Sequence, residues 1–250
     1  AGVERNQGLN CMENTTKLKI VQGIALVTIL VGLIVMLMWV FSLPYLKSLI
    51  IDSTTMKFST ALCFLFSGII LYVMTTHMEG RERVKKHILL LFSILILLVM
   101  IPAFLVVVTG VYFDSVAAHL ILDTFSAGDG TYHGLPSIGT ILSFLFIGFS
   151  SLFSYTFSKH VRFVLVYAGS IVNFLGMVPL VGYVLNSPLL YYEIENISAG
   201  ISLHATLLFF VLGIGFFLMG SMGMENCPYF KGMKNKETVM CGYDWGKHKK

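Results

Sequence analysis

Histidine and acidic side chains are the residues of this chain that could bind a metal ion or a charged ligand. Among the seven histidines, His119, His133 and His204 fall in or beside segments that also carry Asp114 and Glu193. Imidazole and carboxylate groups are common ligands of zinc and related ions. These five residues form a candidate outer pocket, which could favour a metal ion or a cationic ligand. Solvated side chains in loops explain the same residues without a ligand, and we predict no resident metal or cofactor.

A second set of residues could bind haem or a metal elsewhere. His77 and His87 flank one short segment, but a bis-histidine haem needs two imidazoles that face each other at a similar depth. Cys227, Cys241 and His248 lie at spacings that match no zinc motif. These spacings do not favour a haem or metal site, and a haem- or metal-binding membrane protein is a second alternative. We find no nucleophile paired with a base, no glycine-rich phosphate loop and no paired catalytic carboxylates, so we predict that the chain is not an enzyme.

The segments that must position these residues are long and apolar. Of the 250 residues, 56% are hydrophobic and 12% are charged, about half the charged fraction of soluble domains. Six stretches contain no Asp, Glu, Lys or Arg, and each exceeds the roughly 20 residues that a helix needs to cross a bilayer. None alternates between polar and apolar residues as a barrel strand would. We therefore predict an all-α membrane protein with six transmembrane helices, at about residues 20–41, 58–76, 87–110, 138–158, 163–185 and 199–221.

Basic residues predict the orientation of the chain. If both termini are cytoplasmic, 15 of the 17 Lys and Arg residues lie on the cytoplasmic side, and only Lys47 and Lys57 lie outside. Such an excess is the positive-inside signal of membrane proteins. Residues 1–19 are then a cytoplasmic amino-terminal segment, and residues 222–250 are a basic, aromatic cytoplasmic tail. Because the basic residues are scattered over four short segments, we predict no nucleic-acid partner.

Three of the apolar stretches have similar sequences. When residues 56–71, 136–151 and 201–216 are aligned without gaps, Phe64 coincides with Phe144 and Phe209. In the same alignment Gly68 coincides with Gly148 and Gly213. The odd-numbered helices also end alike, with Phe41, Phe113 and Leu185 at matching places. We therefore predict three repeated helix hairpins, at about residues 20–76, 87–158 and 163–221, in which these phenylalanines and glycines pack between helices.

A resemblance to a known family adds an expected function. Residues 33–73 contain "LKS" at 46–48 and, from Thr55, the segment "TMKFSTALCFLFSG". The stretch resembles the amino-terminal membrane region of prokaryotic sensor histidine kinases and diguanylate cyclases, which PAS domains often follow. Ser59 stands where that family usually has Asn. The resemblance covers about residues 20–221 and implies a sensory input region in a prokaryotic plasma membrane. The 29 residues after it are too few for a kinase domain.

The predicted spans hold none of the ionisable groups that active transporters keep at mid-depth, which argues against transport. Asn173 lies near mid-span, and we expect it to donate a hydrogen bond between helices. We predict a non-catalytic sensory module of a signal-transduction protein, whose partners are the lipid bilayer and a cytoplasmic signalling domain or other membrane subunits. The alternative is a non-catalytic subunit of a larger membrane complex. A homo-oligomer is compatible with either function.

Overall fold

The computed structural model describes residues 2–41, 56–76, 82–109, 136–156, 161–191 and 200–222. Over these ranges the chain forms six α-helices and one short 3₁₀ turn, with no β-strand. The helices are α1 (Gly2–Val40), α2 (Phe58–Thr75), α3 (Glu82–Thr109), α4 (Ile138–Thr156), α5 (Val161–Leu185) and α6 (Leu203–Ser221), and the turn is Pro188–Tyr191.

Five of these helices are long and apolar enough to cross a membrane. They are α2, α5 and α6 in full, α1 over Thr16–Val40, and α3 over Arg83–Thr109. The apolar part of α4, Ile138–Ser154, is shorter. The prediction of an all-helical membrane protein is therefore confirmed in this form, while a sixth span through α4 stays a prediction. One difference concerns α1, whose helical backbone begins at Gly2, well before the first predicted span.

Hydrogen bonds at the ends of the helices explain where several of them begin. Ser202 accepts a hydrogen bond from the backbone N–H of Ala205, and Ser137 accepts one from the N–H of Thr140 at 3.2 Å. Serine is a favoured residue at this position because its hydroxyl satisfies an N–H that the helix leaves unpaired. The start of α2 is fixed differently, since the indole N–H of Trp39 donates to the Met56 carbonyl oxygen at 3.0 Å. That bond ties the end of α1 to the beginning of α2.

Successive helices form antiparallel pairs, which we call hairpin 1 (α1 and α2), hairpin 2 (α3 and α4) and hairpin 3 (α5 and α6). In hairpin 3, Gly220 lies against Val166, whereas Gly176 lies against Phe210, so the residue numbers run in opposite directions. The same reversal holds in hairpin 1. Each hairpin also packs against the next, through α2 with α3 and α4 with α5, and α6 returns to α1. The six helices therefore form a closed ring.

The even-numbered helices run in the same direction. Phe64 of α2 contacts Phe209 of α6, and Leu71 lies beside Gly215, so these two helices are parallel. Only residues 157–160 separate α4 from α5, a distance of at most about 18 Å. This connection is shorter than α5, so α4 must end where α5 begins. We call the end at which α2, α4 and α6 begin the leading end, and the opposite end the trailing end.

A continuous core runs along the even-numbered helices, and we call it the central seam. On each helix it consists of five buried residues at alternating spacings of four and three. These are Thr60, Phe64, Ser67, Leu71 and Met74 on α2; Thr140, Phe144, Ile147, Ser151 and Ser154 on α4; and Ala205, Phe209, Leu212, Phe216 and Met219 on α6. A spacing that averages 3.5 residues keeps one face of a helix turned toward its neighbours, as in coiled coils.

Candidate functional site

Three phenylalanines meet in the central seam, and we call them the phenylalanine cluster. The ring centroids of Phe64 and Phe144 are 4.9 Å apart, those of Phe64 and Phe209 are 4.6 Å apart, and those of Phe144 and Phe209 are 4.8 Å apart. All three side chains are fully buried. Edge-to-face and tilted rings at such distances attract one another beyond their simple burial. The cluster therefore connects all three hairpins at one level of the bundle.

Glycines bring the helices of hairpins 1 and 3 into backbone contact. A Cβ atom placed on Gly68 would lie 3.0 Å from the backbone nitrogen of Ile29, and one placed on Gly213 would overlap the backbone nitrogen of Asn173. A Cβ on Gly32 would lie 2.9 Å from the nitrogen of Leu65. Small residues at helix contacts are the usual way in which membrane helices approach closely.

The contacts in hairpins 1 and 3 fall at matching places. When the odd-numbered helices are aligned at Phe41 and Leu185, Ile29 matches Asn173, and these are the residues that Gly68 and Gly213 touch. The same alignment matches Gly32 with Gly176, which touches Phe210, the match of Leu65 on the even-numbered helices. Two independent pairs of contacts thus coincide. The amide of Asn173 also donates to the Phe210 carbonyl oxygen at 2.9 Å, which confirms the hydrogen bond between helices that we expected there.

Hairpin 2 is packed differently from the other two hairpins. A Cβ atom on Gly148 would approach only side-chain atoms, with Leu97 the nearest at 2.8 Å. The alignment of odd-numbered helices puts Leu97 where Gly169 stands, and Phe104 where Gly176 stands. Unlike Gly169, Leu97 has a large side chain, and this side chain lies between the α3 backbone and Gly148. Hairpin 2 is therefore held by side chains that can change rotamer, rather than by backbone contact.

Three of the five polar residues of the central seam lie on α4, and Ser150, outside the seam, is a further buried serine of that helix. Ser154 donates to the Ser150 carbonyl oxygen, and Ser150 donates to that of Ile147 at 2.9 Å. The hydroxyl of Ser151 is fully buried and has no hydrogen-bond partner among the described residues. At the matching places α2 and α6 have Leu71 and Phe216. Ser151 therefore puts an unsatisfied hydroxyl into an apolar layer.

Replacing Ser151 with alanine is expected to stabilise the bundle by about 1 kcal/mol, since a buried hydroxyl without a partner costs roughly 1–3 kcal/mol. Thermal unfolding of the purified protein in lipid nanodiscs measures the change. Ser150→Ala is the control, because it removes a hydroxyl that already has a partner and should give no gain. Equal losses of stability in the two variants would contradict this account of Ser151.

A buried lysine closes the trailing end of α2. Lys85 is 1% exposed, and its ammonium donates to the carbonyl oxygens of Thr76 at 2.5 Å and Met74 at 3.4 Å. The last carbonyls of a helix have no partner within it and carry a partial negative charge, so a cation is favoured there. Sequence reasoning assigned Lys85 only to the basic residues that set orientation. The signal that it missed was the short distance between the end of α2 and Lys85.

We expect Lys85→Met to lower the free energy of unfolding by about 1–3 kcal/mol, because one buried and one partly buried carbonyl oxygen lose a donor while the apolar stem is retained. Lys86→Met is the matched control, since the neighbouring side chain is only partly buried. Thermal unfolding in nanodiscs at one ionic strength compares the two variants. A loss for Lys86→Met that equals the loss for Lys85→Met would indicate a general charge effect and not a cap.

The candidate outer pocket is not assembled by the described residues. His204 lies exposed in the first turn of α6, at the leading end. His119, His133, Asp114 and Glu193 lie outside the described residues, as do His77 and the tail from residue 223. Within the part of the chain that the structure describes, no group of three His, Cys, Asp or Glu residues could hold a metal ion. Of the five residues predicted to form the pocket, only His204 lies within the described residues.

The leading end of hairpin 3 is fixed near His204. The Tyr183 hydroxyl donates to the Ile201 carbonyl oxygen at 2.5 Å, and the Tyr183 ring stacks on that of Tyr191 with centroids 4.9 Å apart. The backbone N–H of Ile201 in turn donates to the Tyr191 carbonyl oxygen at 2.9 Å. These bonds hold the 3₁₀ turn against the beginning of α6. The first turn of α6 is therefore anchored to α5.

Comparison with protein-family models, with curated proteins and with solved structures finds no match for the chain. The packing of the helices has three features that bear on function: the central seam, the phenylalanine cluster, and the difference between hairpin 2 and its neighbours.

Proposed function

We propose that the protein is a membrane-embedded input module of a signal-transduction protein, without catalytic activity of its own. A ligand or a change in the membrane alters the packing of the three hairpins. Helix α6 passes that change to a signalling domain or partner at the trailing end. A ligand can drive such a change only if it binds one packing more tightly than the other.

The observation that supports this function best is the central seam. It reaches from the first turns of α2, α4 and α6 to their last turns without a break, and every one of its residues is buried. A displacement at the leading end therefore has a packed route to the trailing end. Packed helices move as bodies with a few discrete arrangements, because close-packed cores are not continuously deformable.

Hairpin 2 is the element that we expect to move. Its helices meet through the side chain of Leu97 at Gly148, whereas hairpins 1 and 3 meet through backbone atoms. Ser151, which has no partner in the described structure, lies on the same hairpin. An unsatisfied hydroxyl raises the free energy of the packing in which it is buried. It thereby reduces the free-energy difference from a second packing in which the hydroxyl has a partner.

The finer architecture belongs to the same proposal. It comprises six crossings, three repeated hairpins related by rotation about the membrane normal, and both termini in the cytoplasm of a prokaryotic cell. Support comes from the matching contacts of Gly68 and Gly213 and from the distribution of Lys and Arg along the chain. The resemblance to sensor histidine kinases and diguanylate cyclases favours the same function.

A reporter fusion tests the proposed function. The catalytic region of a histidine kinase is fused after Met222, with one to seven alanines inserted at the junction. If α6 transmits the packing of the seam, kinase activity should rise and fall with the number of inserted alanines, with a period of about 3.6 residues. Phe144→Ala should change the activity, whereas Phe146→Ala, outside the seam and partly exposed, should not. Activity that depends on neither linker phase nor the seam would contradict the proposal.

One observation favours the alternative, a non-catalytic subunit of a larger membrane complex. Phe163, Tyr167 and Phe174 are each about two-thirds exposed, and their spacing puts them along one side of α5. An aromatic stripe of this kind suits contact with another membrane helix as well as with lipid. Purification from native membranes in a mild detergent distinguishes the two functions. Comigration with fixed partners, and release of those partners by Tyr167→Ala, would favour the subunit.

A further inference from the structure

A groove of about 230 Å³ lies between α2 and α3, where hairpin 1 meets hairpin 2. Its seven lining residues come from both helices, and Ser59 alone among them has a polar side chain. They are Phe58, Ser59, Leu62 and Phe66 on α2, with Leu95, Leu98 and Val99 on α3. The groove is apolar and open on one side, and it belongs to none of the features described above.

One end of the groove is bounded by two aromatic rings. The rings of Phe66 and Phe92, with centroids 5.2 Å apart, pack together at the end nearer the middle of the bundle. From Phe66 to Phe58 the lining follows α2 toward the leading end for about 12 Å, at 1.5 Å per residue. Lys57, which precedes Phe58, lies at the leading end of the groove. The groove is therefore a slot about 12 Å long that ends at the Phe66–Phe92 pair on one side and reaches the beginning of α2 on the other.

The position of the groove decides what can fill it. Both of its helices are long and apolar enough to cross a membrane, so the open side faces hydrocarbon and not water. One leaflet contributes about 15 Å of the hydrocarbon core, so a slot about 12 Å long fits within a single leaflet. A helix of the same length, about 10 Å across, would occupy roughly 900 Å³. The groove is therefore too small to enclose a helix, and its size suits one extended chain.

Lys57 carries a positive charge beside the leading end of the groove, next in sequence to the lining residue Phe58. Burial lowers the pKa of its ammonium to about 8, so the side chain is still mostly protonated at pH 7 although it has lost much of its water. A cation at the end of an apolar slot, at the edge of a membrane span, matches the phosphate of a lipid headgroup. The apolar lining thus suits the acyl chain of a phospholipid, and the ammonium suits the phosphate of its headgroup.

We propose that this groove binds one acyl chain of a membrane phospholipid, with Lys57 contacting the phosphate of its headgroup. The chain packs against Leu62 and Leu98 and ends at the Phe66–Phe92 pair. The site stands independently of the proposed signalling function, since it requires only that α2 and α3 lie in a bilayer. A lipid bound there would fill the junction between hairpins 1 and 2.

Native mass spectrometry of the protein released from nanodiscs of phosphatidylglycerol and phosphatidylcholine tests the site. The wild-type protein should keep one phospholipid after the scaffold protein and loosely held lipid are removed. Leu62→Trp fills the groove from α2, and Leu98→Trp fills it from the exposed wall on α3, where a larger side chain is easily tolerated. Either variant should reduce the fraction with one bound lipid at least tenfold.

Leu207→Trp is the matched control. Leu207 aligns with Leu62 but lies on α6, exposed and away from the groove, so its replacement should leave lipid retention unchanged. Lys57→Gln should weaken retention of phosphatidylglycerol by about fivefold, the contribution typical of one basic side chain near lipid headgroups. Retention of no lipid by the wild-type protein, or equal retention in the Leu98 and Leu207 variants, would overturn the proposal. An unchanged Lys57→Gln variant would overturn the assignment of the phosphate.

Discussion

Replacing Phe144 with alanine is expected to lower the free energy of unfolding by about 2–3 kcal/mol. In soluble cores a buried Phe→Ala change costs roughly 3–5 kcal/mol, as the sum of lost transfer energy and a cavity. In a bilayer the transfer part is small, because lipid tails are as apolar as the core, and the lost packing remains. Replacing Phe144 should lower the free energy of unfolding more than replacing most other seam residues, because its ring contacts those of both Phe64 and Phe209.

Phe146→Ala is the control for this prediction. Phe146 lies two residues further along α4 and is 39% exposed, outside the central seam. Its exposed side chain faces lipid, and in the alanine variant lipid can fill the space that the ring leaves. We therefore expect the free energy of unfolding to fall by less than about 1 kcal/mol. Unfolding in nanodiscs, followed by circular dichroism, measures both variants. Equal losses would mean that the phenylalanine cluster does not hold the hairpins together.

A Gly213→Ala substitution is expected to cost about 2–3 kcal/mol. The added methyl group would overlap the backbone nitrogen of Asn173 and would approach its Cα within 2.6 Å, so α5 and α6 must separate. Overpacking of this kind typically costs about 1–3 kcal/mol, and a backbone cannot move aside as a side chain can. The separation would also strain the hydrogen bond from Asn173 to the Phe210 carbonyl oxygen.

Gly148→Ala provides the matched control, because Gly148 aligns with Gly213 in sequence. A methyl group there meets only the side chains of Leu97 and Ile96, and these can change rotamer. We expect a cost below about 1 kcal/mol, measured by the same unfolding experiment. If Gly148→Ala were as costly as Gly213→Ala, the distinction between hairpin 2 and hairpin 3 would be wrong.

Length and charge were sufficient to predict the helices from the sequence. A stretch without Asp, Glu, Lys or Arg that exceeds the thickness of a bilayer leaves little choice but a spanning helix. The bounds of α5, for example, agree with the predicted 163–185 within two residues. Helix α1 extends further than predicted, because the charges of residues 1–19 end a hydrocarbon span without ending a helix.

The contacts were harder to predict than the helices. Aligning Phe64, Phe144 and Phe209 indicated a common environment, but it could not give the distances between their rings. The 4-3-4-3 spacing of the seam is present in the sequence, yet in a helix that is apolar on most sides no pattern of polar residues marks it. Lys85 could not be assigned as a cap, because its role depends on how closely α3 returns to the end of α2.

The predicted ligand pocket depended on segments between the helices. Such segments carry no periodicity that fixes their path, so proximity of His119, His133 and His204 could not follow from spacing. The groove between α2 and α3 was missed for a different reason. Its lining is made almost entirely of Leu, Phe and Val residues, which are indistinguishable in sequence from those that face lipid. Only the placement of both helices revealed it.

Crosslinking within the central seam tests the account most directly. Cysteines replace Thr60, Thr140 and Ala205 in pairs, in a chain whose four native cysteines are changed to alanine, and a short bifunctional thiol reagent is applied to intact membranes. We predict that all three pairs crosslink within one chain, because these buried residues form one layer beside the phenylalanine cluster. A pair of Thr60→Cys with Leu207→Cys, which faces away from the seam, should not crosslink. Failure of the Thr140 pairs, or equal crosslinking to position 207, would contradict a seam shared by α2, α4 and α6.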